Sequence, residues 1–489
     1  MEKVKKTSVI VILCVLGFAL FPVFAVYAHN VDQLTIKQLF LPSLVSILIG
    51  YSAYYIFLII SKNTIQACLK AVVFLILFWN YRLLHDLFQT VLPVGPGLFL
   101  VVLLVVYALF VYALGSVKKP DALRGVLTVV FVPVFLLIAF NVYLIGKGEL
   151  DKIRAKKTAA AGETPAIDHV GEHPDIYILI FDEFASPVTA KAVWDHDHSI
   201  FQDALEDLGF YFAHNSKTRH PFTHMSIPGI MNLSYPDKNS SRTENLLLYN
   251  NNLTFRHLHD LGYAIYFLDG WGGFEYTFNI PVAEFVCFYN TSYEPQFVVD
   301  EFAYLMLRQS MFTSFADNLV SKNANHYYLG HKYFLRYIEE FPMRANVSEQ
   351  PKLLYAHVMA PHLPYVFDRH GNFNVNPTNY WEYTNLEPEV LRALYFEQYL
   401  FISERITEIV TNILSNSSTP PVILLFSDHG PRLESAGVAD QEHHHRVLNA
   451  AYFPNGVYDD FNKEMTPVNT MRLMFNAFFG TAYELLEDY

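Results

Sequence analysis

Residues 424–432 read LLFSDHGPR: an apolar run that stops abruptly on an acid, an imidazole, a glycine and a proline. Three other runs end in the same manner. DIYILIFDEF (175–184) ends on Asp182 and Glu183, YAIYFLDGWGG (263–273) on Asp269 and Trp271, and LLYAHVMAPHLPY (353–365) delivers His357 and His362. Between such runs lie stretches of helical period. In PEVLRALYFEQYLFISERITEIVTNILS (388–415) the apolar positions recur at three and four, as an amphipathic helix requires. Strand–helix alternation predicts an α/β domain around a central, mostly parallel sheet. In open sheets of that kind the ligand site lies beyond the carboxyl ends of the strands. Each run is therefore read as a rigid stalk that holds a polar group at one common rim.

Asp182, Asp428 and His429 at that rim make a metal set. Two carboxylates and an imidazole suit zinc or manganese, and three protein ligands leave a position open. The bland alternative is that Asp428 caps a helix and His429 bonds backbone. A nucleophile for such a site belongs near a helix start, where free N–H groups favour an anion. RHPFTHMSIPGIMNLS (219–234) offers Thr223 and Ser226, each of which could equally be an ordinary N-cap. Trp271 reads as a substrate platform or as packing. The triplet His443–His445 reads as a metal cluster or as an exposed loop.

The rest of the chain gives these groups a setting. Of 489 residues 52% are hydrophobic, and the net charge of −13 excludes the basic footprint that nucleic acid needs. Only Cys287 of the three cysteines lies outside the apolar N-terminal runs, so no disulfide framework is expected in the soluble part. Residues 7–28 carry no charge and are long enough to cross a bilayer. Further spans are expected at 37–61, 66–91, 97–115 and 124–146, the third interrupted by Arg82, His85 and Asp86. An odd number of spans puts the termini on opposite faces. Lys3, Lys5, Lys6, Lys62, Lys70, Lys118, Lys119 and Arg124 then share the cytoplasmic side, and residues 150–489 lie outside it. The basic segment GKGELDKIRAKK argues the other way, but charge beside a long translocated domain counts for less. Domains follow: 1–146 as a transmembrane helical bundle, 147–173 as a linker, and 174–489 as the catalytic domain.

Taken in order, DIYILIFDEF, HPFTHMSIPGIMNL, AHVMAPHLPYVFD, LLFSDHGPR, HHHRVLNAAYFPNG and TPVNTMRLMFN resemble the sulfatase-like branch of the alkaline phosphatase superfamily over 174–480. Spans followed by such a domain resemble lipoteichoic acid synthases and phosphoethanolamine transferases of bacterial envelopes. The resemblance implies Asp182, Asp428 and His429 as ligands of one or two divalent ions, zinc or manganese, with Thr223 as a nucleophile that also touches the metal. It implies His357 and His362 as contacts of the transferred group or of a second metal, and Arg446 as a basic residue beside the substrate. Glu183 is ambiguous, because formylglycine sulfatases carry a second acid there and many transferases do not. The chain departs from those sulfatases at one place: the maturation sequence C/S-x-P-x-R is missing, and Thr-His-Met-Ser-Ile stands there instead. What is implied is an enzyme of a bacterial inner membrane that transfers a phosphoryl-alcohol group from lipid to an envelope glycan or lipid. Hydrolysis with water as acceptor, of a phosphodiester or a sulfuric ester, is the alternative within enzymes. A glycan- or partner-binding protein without catalysis, or a transport-coupled one, is the alternative outside them. Oligomeric state is not legible.

Overall fold

The computed structural model describes residues 2–31, 34, 36–117, 119–159, 173–269, 283, 285–288, 301–345, 350–374, 386–434 and 437–488. The chain forms two units. One comprises 1–154 with 274–276 and 296–319, and the other comprises 155–273, 277–295 and 320–489.

The first unit is helical: α1 (Glu2–His29), α2 (Phe40–Ser61), α3 (Thr64–Trp79), α4 (Tyr81–Gln89), α5 (Pro96–Gly115) and α6 (Pro120–Ala159). Four stretches are long and apolar enough to cross a membrane: Val9–His29, Ile36–Ser61, Pro96–Gly115 and Asp121–Asp151. The expected single span over 66–91 is broken instead, α3 and α4 meeting at 62°, and makes a fifth only if the bent pair counts as one. Asn80 sits at the break, outside helical geometry at ψ 15°, and Arg82, His85 and Asp86 give α4 a polar side that hydrocarbon would penalise. Large apolar side chains such as Leu48, Ile59, Val105, Leu109 and Tyr112 point outward, as on a surface that faces lipid. Helix α6 continues through 147–159, the first part of the expected linker. From the far side of the sequence, Phe302 and Met306 pack with Tyr27, Phe78 and Trp79. The Met311 N–H donates to the Phe78 carbonyl at 3.0 Å. This return of Phe302, Met306 and Met311 to the apolar helices lies inside the segment 174–489, and its short apolar stripe is not separable in sequence from that of an ordinary helix.

The second unit is built on a seven-stranded sheet of β1 (Ile176–Phe181), β2 (Tyr211–Phe212), β3 (Ala264–Asp269), β4 (Phe285–Phe288), β5 (Lys352–Val358), β6 (Val422–Phe426) and β7 (Asn449–Tyr452), in the order β2-β7-β6-β1-β5-β3-β4. The pairs β1/β5, β1/β6, β3/β5 and β3/β4 are parallel, while β6/β7 and β2/β7 are antiparallel. The expected α/β class and mostly parallel sheet are both found.

Burial on both faces explains the unbroken apolar runs. Strand side chains alternate, so Tyr177, Leu179 and Phe181 enter one core and Ile176, Ile178 and Ile180 the other. The helix Pro388–Asn416 covers the first face with Leu391, Tyr395, Tyr399, Ile402, Ile406 and Ile413, following the spacing read from the sequence. The helices Thr223–Met231 and Pro467–Phe479 cover the second with Ile227, Ile230, Met471 and Phe475.

Candidate active site at four neighbouring strand ends

The four polar-ended runs form β6, β1, β5 and β3, and these are consecutive in the sheet. Their carboxyl ends bring Asp428, Asp182, His357 and Asp269 side by side, all buried. In register, His357 faces Ile180 of β1 on one side and Asp269 of β3 on the other. Asp182, His357 and Asp428 offer three ligand atoms that lie within 4.8 Å of one another. His429 joins them: its Nε2 is 3.5 Å from Asp428 Oδ2 and 3.7 Å from Asp182 Oδ1. The other ring nitrogen of His429 lies 2.8 Å from the Gly430 carbonyl, which can only accept. Nδ1 therefore donates to that carbonyl, and Nε2 is the ring nitrogen turned toward the cluster.

Thr223 is the first residue of the helix Thr223–Met231 and is half-buried. Its Oγ1 lies 3.3 Å from His429 Nε2. The capping alternative does not describe it. The N-cap is Phe222, no side chain caps this helix start, and Ser226 is buried with its Oγ 3.2 Å from Thr218 Oγ1. Nor does Asp428 act as a helix cap: the Glu183 N–H donates to its Oδ1 at 3.3 Å.

The charges at this rim are unbalanced. Burial, and after it the neighbouring Asp182 carboxylate, pushes the Asp428 carboxyl above the usual range. Burial would raise Asp182 as well, but the neighbouring imidazoles of His362, His357 and His429 outweigh it and hold Asp182 well below that range. Burial alone would lower His357, yet Asp269 and Asp182 on either side win and raise it to about 10. Among the described residues His357 Nε2 and Asp428 Oδ2 make no hydrogen bond although both are wholly enclosed. Orphaned buried polar atoms cost free energy. Two facing carboxylates with inward imidazole nitrogens are the donor set that a divalent cation would satisfy, so these residues fit such an ion.

Glu183 takes a left-handed backbone at φ +59°, which costs a side-chain-bearing residue about 1–3 kcal/mol. Its N–H reaches Asp428, while its carboxylate turns to Arg432 Nε at 2.8 Å. His362 is half-buried; its N–H donates to the Asp182 carbonyl at 3.1 Å, and its Nδ1 lies 2.6 Å from the Leu363 carbonyl. Burial would lower its pKa, but Glu183 and Asp182 raise it overall.

Gly430 explains the glycine of the SDHG run. A Cβ there would lie 1.9 Å from the His443 carbonyl oxygen and 2.6 Å from that of Arg446, and the Gly430 N–H donates to His444. The turn 443–446 is pressed directly onto the loop that carries Asp428 and His429. Its histidines disperse, contrary to both readings of the triplet: His443 reaches Thr189, His444 pairs with Glu434, and His445 bonds the Thr218 carbonyl. Arg446 pairs with Glu442, which also holds Lys217 at 2.6 Å, and is not among the groups gathered at the cluster. Trp271 lies outside the described residues. Asp269 and the Tyr249 that bonds it were given no role by sequence reasoning; the only signal was that β3 ends on an acid.

The sulfatase family model matches residues 196–473, more than half of the chain. The chain belongs to the sulfatase family. It is thus an enzyme of the alkaline phosphatase superfamily with N-terminal membrane helices. The match includes Thr223, His357, His362, Asp428 and His429 and begins after Asp182. No curated protein matches the chain. Among solved structures it is similar to the integral membrane lipooligosaccharide phosphoethanolamine transferase A of Neisseria meningitidis, at 11% identity, 96% of this chain, 95% of that one and TM-score 0.45. It is also similar to the periplasmic domain of EptC from Escherichia coli in complex with Zn, at 11% identity, 66% and 87% coverage and TM-score 0.43. A third is the periplasmic domain of phosphoethanolamine transferase EptC from Campylobacter jejuni, at 14% identity, 63% and 90% coverage and TM-score 0.41.

Proposed function

We propose that this sulfatase-family protein is a membrane-anchored, divalent-metal-dependent transferase. It moves a phosphoryl-alcohol group, such as phosphoethanolamine or phosphoglycerol, from a lipid to an envelope glycan or lipid through Thr223. The observation that carries the reading is one hydroxyl, held at a helix start 3.3 Å from an imidazole nitrogen that faces two buried carboxylates.

Asp182, Asp428, His429 and Thr223 would hold the ion, zinc or manganese. When bound it supplies a Lewis acid that lowers the pKa of a neighbouring hydroxyl and draws charge from phosphoryl oxygens. Thr223 gives its proton to water, and its oxygen attacks phosphorus as the bond from phosphorus to the lipid oxygen breaks. The free N–H groups at the start of its helix favour the anionic group in flight. His362 protonates the departing oxygen, leaving a phosphothreonine ester. The acceptor hydroxyl then attacks phosphorus as the bond to the Thr223 oxygen breaks; the acceptor's proton goes to His362, and the Thr223 oxygen takes back from water the proton it gave up. His357 is enclosed between two carboxylates and is assigned no contact with substrate. Arg446 and Trp271 are assigned substrate contacts, to be read as changes in KM.

A threonine nucleophile and the missing C/S-x-P-x-R sequence favour phosphoryl transfer over formylglycine-based sulfate hydrolysis. With α3 and α4 counted as one bent span, the distribution of lysines along five spans favours a catalytic unit outside the cytoplasm; the membrane proposed is a bacterial inner one.

The test is turnover of a chromogenic phosphodiester by the purified full chain, compared with a phosphomonoester and a sulfate ester. The diester is expected to be preferred and Thr223→Ala to be inactive. Retained activity in that variant would overturn the assignment.

A further inference from the structure

Asp269 and His357 are Cα partners on neighbouring parallel strands, so their side chains leave the sheet on one face. His357 Nδ1 lies 3.4 Å from Asp269 Oδ1, and its Nε2 lies 3.5 Å from Asp182 Oδ2 on the opposite side. Behind Asp269, the Tyr249 hydroxyl donates to Oδ2 at 2.9 Å and is itself 2.7 Å from the Tyr355 hydroxyl. All five residues are buried. Structure alone does not call for this chain of polar groups. Buried charged networks can often be exchanged for apolar side chains at no loss, or even a gain, of stability.

Direction gives the chain a purpose. A carboxylate on one ring nitrogen fixes the imidazole tautomer and rotation, and this is how histidines that bind metals are commonly held. Here the carboxylate sits on Nδ1, and Nε2 is the atom without a hydrogen bond that belongs to the three-residue ligand cluster. We propose that Asp269, anchored by Tyr249, is a positioning residue that aims His357 Nε2 into the cluster, making His357 a further protein donor to the cation site. The proposal rests on the cation site of the preceding section. It adds a donor from β5 and a supporting pair from β3 and the helix Arg242–Asn250.

The experiment measures Zn2+ affinity of the purified full chain by competition with a chromogenic chelator. Asp269→Asn is expected to weaken binding by roughly 10- to 100-fold, the usual effect of removing an outer partner of a ligand. In a His357→Gln background the same change is expected to do nothing further, because its route is gone. Tyr249→Phe, which keeps the ring and removes only the anchor, is expected to weaken binding by a smaller factor, and it carries the test should Asp269→Asn fail to fold. Unchanged affinity in the variant carrying the test overturns the proposal. So does an Asp269→Asn loss of equal size with and without His357. An Asp428→Asn variant that binds Zn2+ like the wild type removes the cation site itself, and that outcome is distinct from the first two.

Discussion

The Thr223 hydroxyl and Nε2 of His429 stand 3.3 Å apart although 206 residues separate them in sequence. Two independent devices bring them together. β6 ends at Phe426 and delivers Asp428 and His429 to the rim, and a helix that packs Ile227, Ile230 and Met231 under the sheet starts on Thr223. The apolar half of each element fixes where its polar end must be, so the cores of this domain and its chemistry are one construction.

Adjacent acids should behave differently. Asp182 faces the ligand cluster, whereas Glu183 is spent on Arg432. We expect Asp182→Asn to lower bound metal by about 100-fold or more in affinity, the loss of a charged ligand. We expect Glu183→Gln to change it by less than about threefold while costing about 1–3 kcal/mol of stability from a broken, partly buried pair. Elemental analysis and chelator competition on both variants decide this; equal losses would place Glu183 among the ligands.

Gly430→Ala should disturb the site through packing. The added methyl would meet the His443 carbonyl oxygen at 1.9 Å, and that oxygen belongs to backbone, which yields poorly. A destabilisation of about 1–3 kcal/mol is expected from overpacking, with reduced turnover because the same loop carries Asp428 and His429. A wild-type melting temperature would show that the 443–446 turn is not seated there.

Acid should destabilise the catalytic unit through a histidine that is not one of the clustered ligands. Burial, with a smaller push from His196, lowers His198 to about 3, and its Nε2 makes no hydrogen bond among the described residues. An unfolded histidine titrates near 6.5. The unfolded chain therefore binds the extra proton first, and stability is complete above that pH. It falls by about 1.4 kcal/mol per pH unit as pH drops from 6.5 toward 3. His198→Phe keeps a ring against Phe201 and Tyr399 and should flatten this slope in denaturant titrations at pH 7, 6 and 5. An unaltered slope would mean that His198 is not buried neutral.

What the sequence revealed and what it hid follow from the range of the forces involved. The four polar-ended runs were legible because a strand buried on both faces must be apolar until it leaves the sheet, so the first polar residue marks its end. The helix read at 388–415 was legible for the same reason at a period near 3.6. Asp269 stood in view as the end of β3, but its partnership with His357 depends on the β3–β5 register, which no local pattern encodes. The dispersal of His443, His444 and His445 was hidden likewise, since each answers to a different distant partner. The break at Asn80 left a trace in Arg82, His85 and Asp86, yet a window of average hydrophobicity blends it into one span. Glu183 at φ +59° could not be foreseen, because the left-handed turn is imposed by the loop on a residue that disfavours it.

If Thr223 carries the transferred group, the covalent intermediate can be trapped on it. The purified full chain, incubated with Zn2+ and a slow phosphodiester, quenched in acid and digested, should yield the peptide containing Thr223 with one phosphoryl-alcohol mass added at that residue. Thr223→Ala should yield none. Turnover with the added mass on Ser226, on another residue, or on no residue at all would mean that Thr223 is not the nucleophile.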